Sequence, residues 1–209
     1  MKHEVLNIAV FCSGEGTNLQ AIIEAVQRGD IKARLSLVVS DNKEAHCLQR
    51  AKKAAVKTIF LDSQEFSSQK EFEKELIAYL QEENIGLIVL AGFMRVLSPF
   101  FVQKYPNKIF NIHPSLLPAF KGSTNAVRDA LNYGVKFSGA TVHFVDEKID
   151  NGPIVLQRVV EIEEDDNEES LRQKIHRQEH IIYPLTIKLF AEGRLKVEGR
   201  KVKINKEKG

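Results

Sequence analysis

This sequence has few cysteines, no long apolar run and no excess of charge of one sign, and each shortage closes off a class of protein. Its longest apolar stretch, Ile85 to Leu90, falls far short of the roughly 20 residues that a membrane-spanning helix needs, so no membrane partner is expected. The two cysteines, Cys12 and Cys47, show no paired spacing, and Met1-Lys2-His3-Glu4 leads straight into an apolar strand without a charged-then-apolar export signal. A reducing cytoplasm is the expected location. The formal charge is +2, with Lys and Arg dispersed except at the C-terminus, so neither a general polyanion surface nor a nucleic-acid partner is expected. The six histidines lack metal-ligand spacing. His176 and His180 come nearest, at i and i+4, but the Glu of a zincin pair is missing and no metal is expected. Ser115 lies between prolines, yet no Gly-x-Ser-x-Gly elbow offers a nucleophile. Repeats, low-complexity tracts and linkers are missing too. The 209 residues suit one α/β domain and are too few for two comfortable ones.

What is present is an alternation of short apolar strands with helices. Leu6 to Cys12 reads as a buried strand that breaks at Ser13-Gly14-Glu15-Gly16 into a helix running from Thr17 towards Gly29. Further strands are expected at Leu35 to Val39, Thr58 to Leu61 and Ile85 to Leu90, with helices over Ala45 to Ala55 and Ser67 to Glu83. A short helix at Pro99 to Lys104 precedes the strand Lys108-Ile109-Phe110. The pattern predicts a Rossmann-like α/β fold, a mostly parallel twisted sheet with helices on both faces. After Gly122 the pattern changes. A helix over Asn125 to Tyr133 leads to two alternating β-runs, Gly139 to Val145 and Pro153 to Val160, then a long helix over Ser170 to Phe190. With the basic tail Leu195 to Ile204, read as a surface hairpin, this half predicts a C-terminal antiparallel extension. The acidic run Glu163 to Glu169 fits a solvated helix start, where carboxylates meet the positive end of the helix dipole.

The stretch Asn111 to Gly122, Asn-Ile-His-Pro-Ser-Leu-Leu-Pro-Ala-Phe-Lys-Gly, is expected to end the strand before it. Pro114 and Pro118 lack backbone donors and fix φ, and Pro114 restricts His113 as well. Asn111 and His113 lie two apart, so on extended backbone their side chains point the same way. Such a polar pair reads either as a prepared site or as turn residues that satisfy local backbone. Asp150, in the turn Asp150-Asn151-Gly152-Pro153, reads as solvated unless the fold brings it to His113. In that case its carboxylate would raise the imidazole pKa, and a protonated His113 beside the Asn111 carboxamide would form a donor pair for an oxyanion.

The glycine loop Ser13 to Asn18 sits at a helix N-terminus, where backbone N–H groups and the helix dipole favour an anion. A dinucleotide fingerprint wants a third glycine where this chain has Leu19, so a single phosphate fits better than a pyrophosphate. A tight turn that merely starts a helix is the plainer alternative. Asp41, at the end of the second strand, keeps a nicotinamide-dependent reductase open.

Asn111-Ile112-His113-Pro114-Ser115-Leu116-Leu117-Pro118, followed by Asp150-Asn151-Gly152-Pro153, resembles the formyltransferases that use 10-formyltetrahydrofolate. The loop Ser13 to Gln20, the run Leu90 to Pro99, Gln178-Glu179-His180 and Tyr183-Pro184 are similar to the purine-biosynthesis branch of that family. The likeness runs from about Val5 to Leu195. It implies one formyltransferase domain over 1–209, with an N-terminal half that binds phosphate and a C-terminal half that is catalytic and folate-binding. The implied reaction moves the formyl group of 10-formyltetrahydrofolate directly to the glycinamide amine of 5-phosphoribosylglycinamide, with no acyl-enzyme and no metal, in a monomer or a homodimer.

By the same resemblance Gly16, Thr17 and Asn18 would hold the substrate phosphate and Glu179 the ribose. Met94, Arg95, Val96 and Leu97 would line the folate pocket, with Gln69 and Asn111 beside the folate and Asp146 to Asp150 closing over it. Asn111 and His113 would stabilise the oxyanion, His113 would be the general acid, and Asp150 would raise its pKa and relay a proton. Two departures stand out. Gln69, with Lys70 next to it, stands where relatives often carry an Arg that meets the folate tail, and Ser123-Thr124-Asn125-Ala126 replaces a pattern that often has a His. A formyltetrahydrofolate hydrolase shares the Asn-His-Asp set but carries an N-terminal regulatory domain, and tRNA-directed relatives add a C-terminal nucleic-acid-binding domain; neither is expected here. The reductase and a non-catalytic nucleotide-binding module are the readings outside the formyl class.

Overall fold

In the computed structural model the described residues are 5–206, so the expected lead-in Met1-Lys2-His3-Glu4 lies outside them. The fold divides into two compact units, residues 1–110 and 111–209. The first unit holds β1 (Leu6–Phe11), α1 (Thr17–Gln27), β2 (Ala33–Ser40), α2 (His46–Lys53), β3 (Lys57–Phe60), α3 (Gln69–Glu82), β4 (Leu87–Leu90) and α4 (Pro99–Val102). Its strands run in the order β3-β2-β1-β4, and each of these pairs is parallel. Ile8 to Phe11 and Leu87 to Val89 are fully buried, which is why they read as continuous apolar runs rather than alternating ones. The α3 helix buries Phe72, Leu76, Ile77 and Leu80 along one face, and Ser68 caps it by accepting the Glu71 N–H at 3.3 Å.

Strand order reverses at β1, with β2 on one side and β4 on the other. In open α/β sheets such a switch point opens a crevice beyond the carboxyl ends of the strands. Here the two loops that meet at that crevice are Ser13 to Gly16, after β1, and Ala91 to Leu97, after β4.

The division falls within β5 (Ile109–His113), and the second unit continues with α5 (Ala126–Tyr133), β6 (Phe137–Phe144), β7 (Ile154–Glu161), α6 (Glu168–Ala191), β8 (Leu195–Glu198) and β9 (Lys201–Ile204), in the strand order β5-β6-β7-β9-β8. The β6–β7 and β8–β9 pairs are antiparallel, and β9 joins β7 in parallel. The expected class, a mostly parallel sheet with an antiparallel C-terminal part, is the one the chain adopts. One boundary differs. Asn111, Ile112 and His113 continue β5 instead of leaving it. Pro114 confines His113 to the extended region, which a strand already occupies, and the missing donor falls one residue later.

After His113 the chain is pinned to β6 and β7 by side chains. Thr141 Oγ1 donates to the Ser115 carbonyl at 2.7 Å and accepts the Leu117 N–H at 3.1 Å. Gln157 Nε2 donates to the Leu117 carbonyl at 3.0 Å and to Thr141 Oγ1 at 2.9 Å. The acidic run does start a helix: Asn167 caps α6 in a reciprocal box with Ser170, and Glu168 and Glu169 fill the first turn.

Candidate active site

The β5 strand delivers Asn111 and His113, and the turn after β6 delivers Asp150. The Asp150 carboxylate touches both. Its Oδ1 accepts from Asn111 Nδ2 at 3.2 Å, while Oδ2 faces His113 Nδ1 at 3.3 Å and accepts the Gly122 N–H at 3.0 Å. Asp150 sits in the left-handed region with φ 46°, which costs a non-glycine residue roughly 1–2 kcal/mol and is held by these contacts. Gly152 lets the same turn close on the end of β6, since a Cβ there would lie 1.8 Å from the Phe144 carbonyl oxygen.

His113 Nε2 is 3.1 Å from the Phe120 carbonyl, which only accepts, so Nε2 carries the hydrogen. Both neighbours of the ring are acceptors, and only an imidazolium would satisfy both. Burial opposes that charge. With the side chain 6 % exposed, desolvation is the largest influence and carries the His113 pKa below its ordinary 6.5, against the raising effects of Asp150 and the Phe120 carbonyl. The sequence allows a protonated His113 near neutral pH if Asp150 reaches it; burial works against that charge and lowers the pKa from 6.5. The effect of Asp150 has the expected sign, but desolvation outweighs it. Burial also acts to raise the pKa of Asp150, yet its polar neighbours, the Gly122 N–H among them, together hold it below 3.8, so it stays ionised.

His143, on β6 and 1 % exposed, completes the cluster, and the sequence reading passes over it. Its Nδ1 lies 2.7 Å from the Phe144 carbonyl and so bears the hydrogen, leaving Nε2 to accept from Asn111 Nδ2 at 3.2 Å. Nε2 also lies 3.6 Å from Asp150 Oδ1. With an acceptor on two sides, the nitrogen end of the Asn111 amide is fixed. The available signal was a histidine in the middle of a buried β-run, where a polar ring requires a partner.

In the first unit, α1 starts at Thr17 with Gly16 as its cap residue at φ 71°. A Cβ at Gly16 would lie 2.6 Å from Cys47 Cβ, so only glycine lets the loop pack on α2. The Cys47 N–H reinforces this by donating to the Gly14 carbonyl at 3.1 Å. Gly16, Thr17 and Asn18 thus stand where a helix presents first-turn N–H groups to an anion. Asp41 accepts the Ser13 hydroxyl at 2.5 Å, and Leu19 is fully buried in the core. The carboxylate that kept a nicotinamide ribose in view is therefore engaged within the loop itself.

The run Met94 to Leu97 exposes two apolar side chains, Met94 at 74 % and Val96 at 62 %, and buries Leu97. Arg95 turns back to the protein: its Nη1 donates to Ser63 Oγ at 2.6 Å and its guanidinium lies 5.1 Å from the Phe72 ring centroid. Gln69 braces the run, its Nε2 donating to the Val96 carbonyl at 2.8 Å and to Glu73 Oε1 at 3.1 Å. Glu73, 1 % exposed, also accepts the Ser98 N–H at 2.7 Å and, through Oε2, the Ser98 hydroxyl. Glu73→Ala is expected to strand these donors and to cost about 2–4 kcal/mol. Thermal unfolding should then show a drop of roughly 5–15 °C for a chain of this size. An unchanged Tm would mean that the brace contributes nothing to stability.

Asp146 ties the turn before Asp150, accepting the Lys148 N–H at 2.9 Å and Asn151 Nδ2 at 2.7 Å. Glu179 is buried on α6. In the departing run Ser123 to Ala126, Asn125 caps α5 by accepting the Arg128 N–H at 3.3 Å and donates to Glu168 Oε1 at 2.9 Å. Among the described residues no group of three or more His, Cys, Asp or Glu is placed to hold a metal ion, and no helix is long and apolar enough to cross a membrane.

The glycine loop after β1 and the Asn111, His113 and Asp150 cluster are the residues on which the resemblance to the formyltransferases rests. The model described as formyl transferase matches residues 6–187, and the chain belongs to that family. It is 45 % identical over 191 residues to the phosphoribosylglycinamide formyltransferase of Haemophilus influenzae, covering 91 % of this chain and 90 % of that one. The enzyme of the same name from Escherichia coli is 43 % identical over 192 residues, with 92 % and 90 % covered. Glycinamide ribonucleotide transformylase 1 from Symbiobacterium toebii superposes with a TM-score of 0.94 at 46 % identity, covering 97 % of this chain and 95 % of that one.

Proposed function

We propose that this protein transfers the formyl group of 10-formyltetrahydrofolate to the amine of 5-phosphoribosylglycinamide, a step of purine biosynthesis. The observation that carries the choice of acceptor is the similarity, over nine-tenths of both chains, to relatives named for that activity. One domain does the work. The N-terminal half holds the ribonucleotide phosphate on Gly16, Thr17 and Asn18, and Glu179 of α6 meets the ribose. The backbone of Met94 to Leu97, braced by Gln69, receives the pterin against the exposed Met94 and Val96 side chains. The C-terminal half supplies catalysis, with the turn from Asp146 to Asp150 beside the folate. A cytoplasmic location fits the two free, buried cysteines.

Chemistry begins when Phe120 gives up its bond to His113. The ring then loses its Nε2 proton to solvent and gains one on Nδ1, which it donates to Asp150, leaving an Nε2 lone pair for the reacting centre. As the glycinamide nitrogen bonds to the formyl carbon, Nε2 takes the proton that nitrogen loses. The new imidazolium is stabilised by Asp150, and it joins the Asn111 amide, which exchanges its bond to His143 for one to the substrate, as a donor to the oxyanion. When the bond from carbon to N10 breaks, the same proton passes to N10, so no covalent enzyme intermediate is needed. His113 thus acts first as base and then as acid, which accords with the downward push of burial on its pKa.

The test follows the absorbance of 10-formyl-5,8-dideazafolate as it loses its formyl group. Loss only when phosphoribosylglycinamide is present is the expected result. Loss without any acceptor would make the protein a hydrolase instead, and no loss in either case would overturn the reading.

A further inference from the structure

Ser13 stands between the two loops that flank the switch point, and it binds the second of them twice. Its N–H donates to the Gly92 carbonyl at 3.0 Å, and its hydroxyl accepts the Met94 N–H at 3.0 Å. The hydroxyl hydrogen goes to Asp41 Oδ1 at 2.5 Å, and the Ser13 carbonyl accepts from Asn42 Nδ2 at 3.1 Å. All of these polar groups are used, in a residue that is buried. Asp41 and Asn42 therefore fix the orientation in which Ser13 meets Met94.

We infer that Ser13 is a positioning residue that couples the two substrate sites, so that a ligand bound on either loop tightens binding on the other. The inference rests on the proposed assignment of the glycine loop to the phosphate and of the loop after β4 to the pterin. The two loops differ in freedom. The glycine loop is clamped from behind by the close approach of Gly16 to Cys47 and by the Cys47 N–H on Gly14. The other loop turns at Gly92, φ 73°, where an added Cβ would meet nothing within 4 Å among the described residues, and it exposes Met94 and Val96. A ligand that covers those side chains orders the backbone at Met94. The Met94 N–H passes that order to Ser13, which leads directly into Gly16 and the start of α1. A second ligand then meets a loop already set, and the same coupling must act in both directions. Serine suits the position because one hydroxyl donates and accepts at once; alanine does neither.

The test is a thermodynamic cycle by calorimetry, with phosphoribosylglycinamide as one ligand and 5,8-dideazafolate, which has no formyl group to transfer, as the other. In the unsubstituted protein each ligand is expected to lower the Kd of the other by the same factor, about 5-fold or more. In Ser13→Ala that factor should fall to near one. In Asp41→Ala, which frees the hydroxyl to turn away, it should fall part of the way, and this variant carries the test if Ser13→Ala does not fold. A coupling factor unchanged in the variants, or one of unity in the unsubstituted protein while both ligands bind, overturns the inference and leaves the proposed function standing. Failure of both ligands to bind the unsubstituted protein overturns both.

Discussion

His113→Ala is expected to lower kcat by about 10³–10⁴-fold, the upper part of what a single general acid–base group contributes. The size follows from the double duty of the ring. One nitrogen must accept the proton of the attacking amine and later return it to the leaving nitrogen, so both halves of the reaction lose their carrier. No neighbour can replace it. Asp150 is ionised and held by Asn111 and Gly122, and His143 is committed to Phe144 and Asn111. The fold should survive. Asp150 keeps two hydrogen bonds without the imidazole, and the segment around Lys121 that Phe120 belongs to is exposed, so water replaces the lost contact at Phe120. KM should stay within a few-fold, since the ring acts in the transition state rather than in ground-state binding. Activity assays with thermal unfolding as a control decide this. A variant that keeps more than a tenth of the activity would remove His113 from the chemistry.

Much of the fold was legible because its signals are local. The β1 and β4 strands announce themselves as short apolar runs closed by glycine loops, and α3 by apolar residues one turn apart. The end of β5 is not legible because Pro114 reads as a breaker, although its constraint on His113 favours the strand. The Asn111, His113 and Asp150 set was visible as a motif, and the charge state of His113 was not. Desolvation depends on how deeply tertiary structure buries a ring, and spacing along a chain carries no measure of depth. The same limit hid three further roles. Glu73 reads as one acidic residue on an amphipathic helix until Ser98, 25 positions later, arrives to fill its carboxylate. Asp41 looks free for a ribose until Ser13, 28 positions earlier, is seen to hold it. His143 is bound to Asn111 across 32 positions, a partnership that only the fold creates.

Asp150→Asn should be nearly as damaging, lowering kcat by roughly 10³-fold, because the imidazolium formed during transfer loses its counter-charge while the ring keeps its place. The informative readout is pH. If neutral His113 is the starting base, kcat/KM in the unsubstituted enzyme falls as pH drops through the His113 pKa, which burial sets below 6.5. Asp150 is a raising influence on that pKa, and removing its charge leaves burial less opposed. The acid limb of Asp150→Asn must therefore move to lower pH. Stability moves the other way. A histidine whose folded pKa lies below its unfolded value contributes stability that is full above about 6.5 and is lost as pH falls towards the folded pKa. Widening that gap makes the variant lose more stability in acid. Asp150 itself, held below 3.8 when folded, contributes stability above that value; the variant lacks this at neutral and mildly acid pH alike, so the extra loss in acid comes from His113. The variant should thus retain a larger share of its own maximal activity at low pH while unfolding more readily there. A general structural defect would depress both together, so an acid limb that stays in place or moves up would mean that Asp150 orients the ring without acting on its charge.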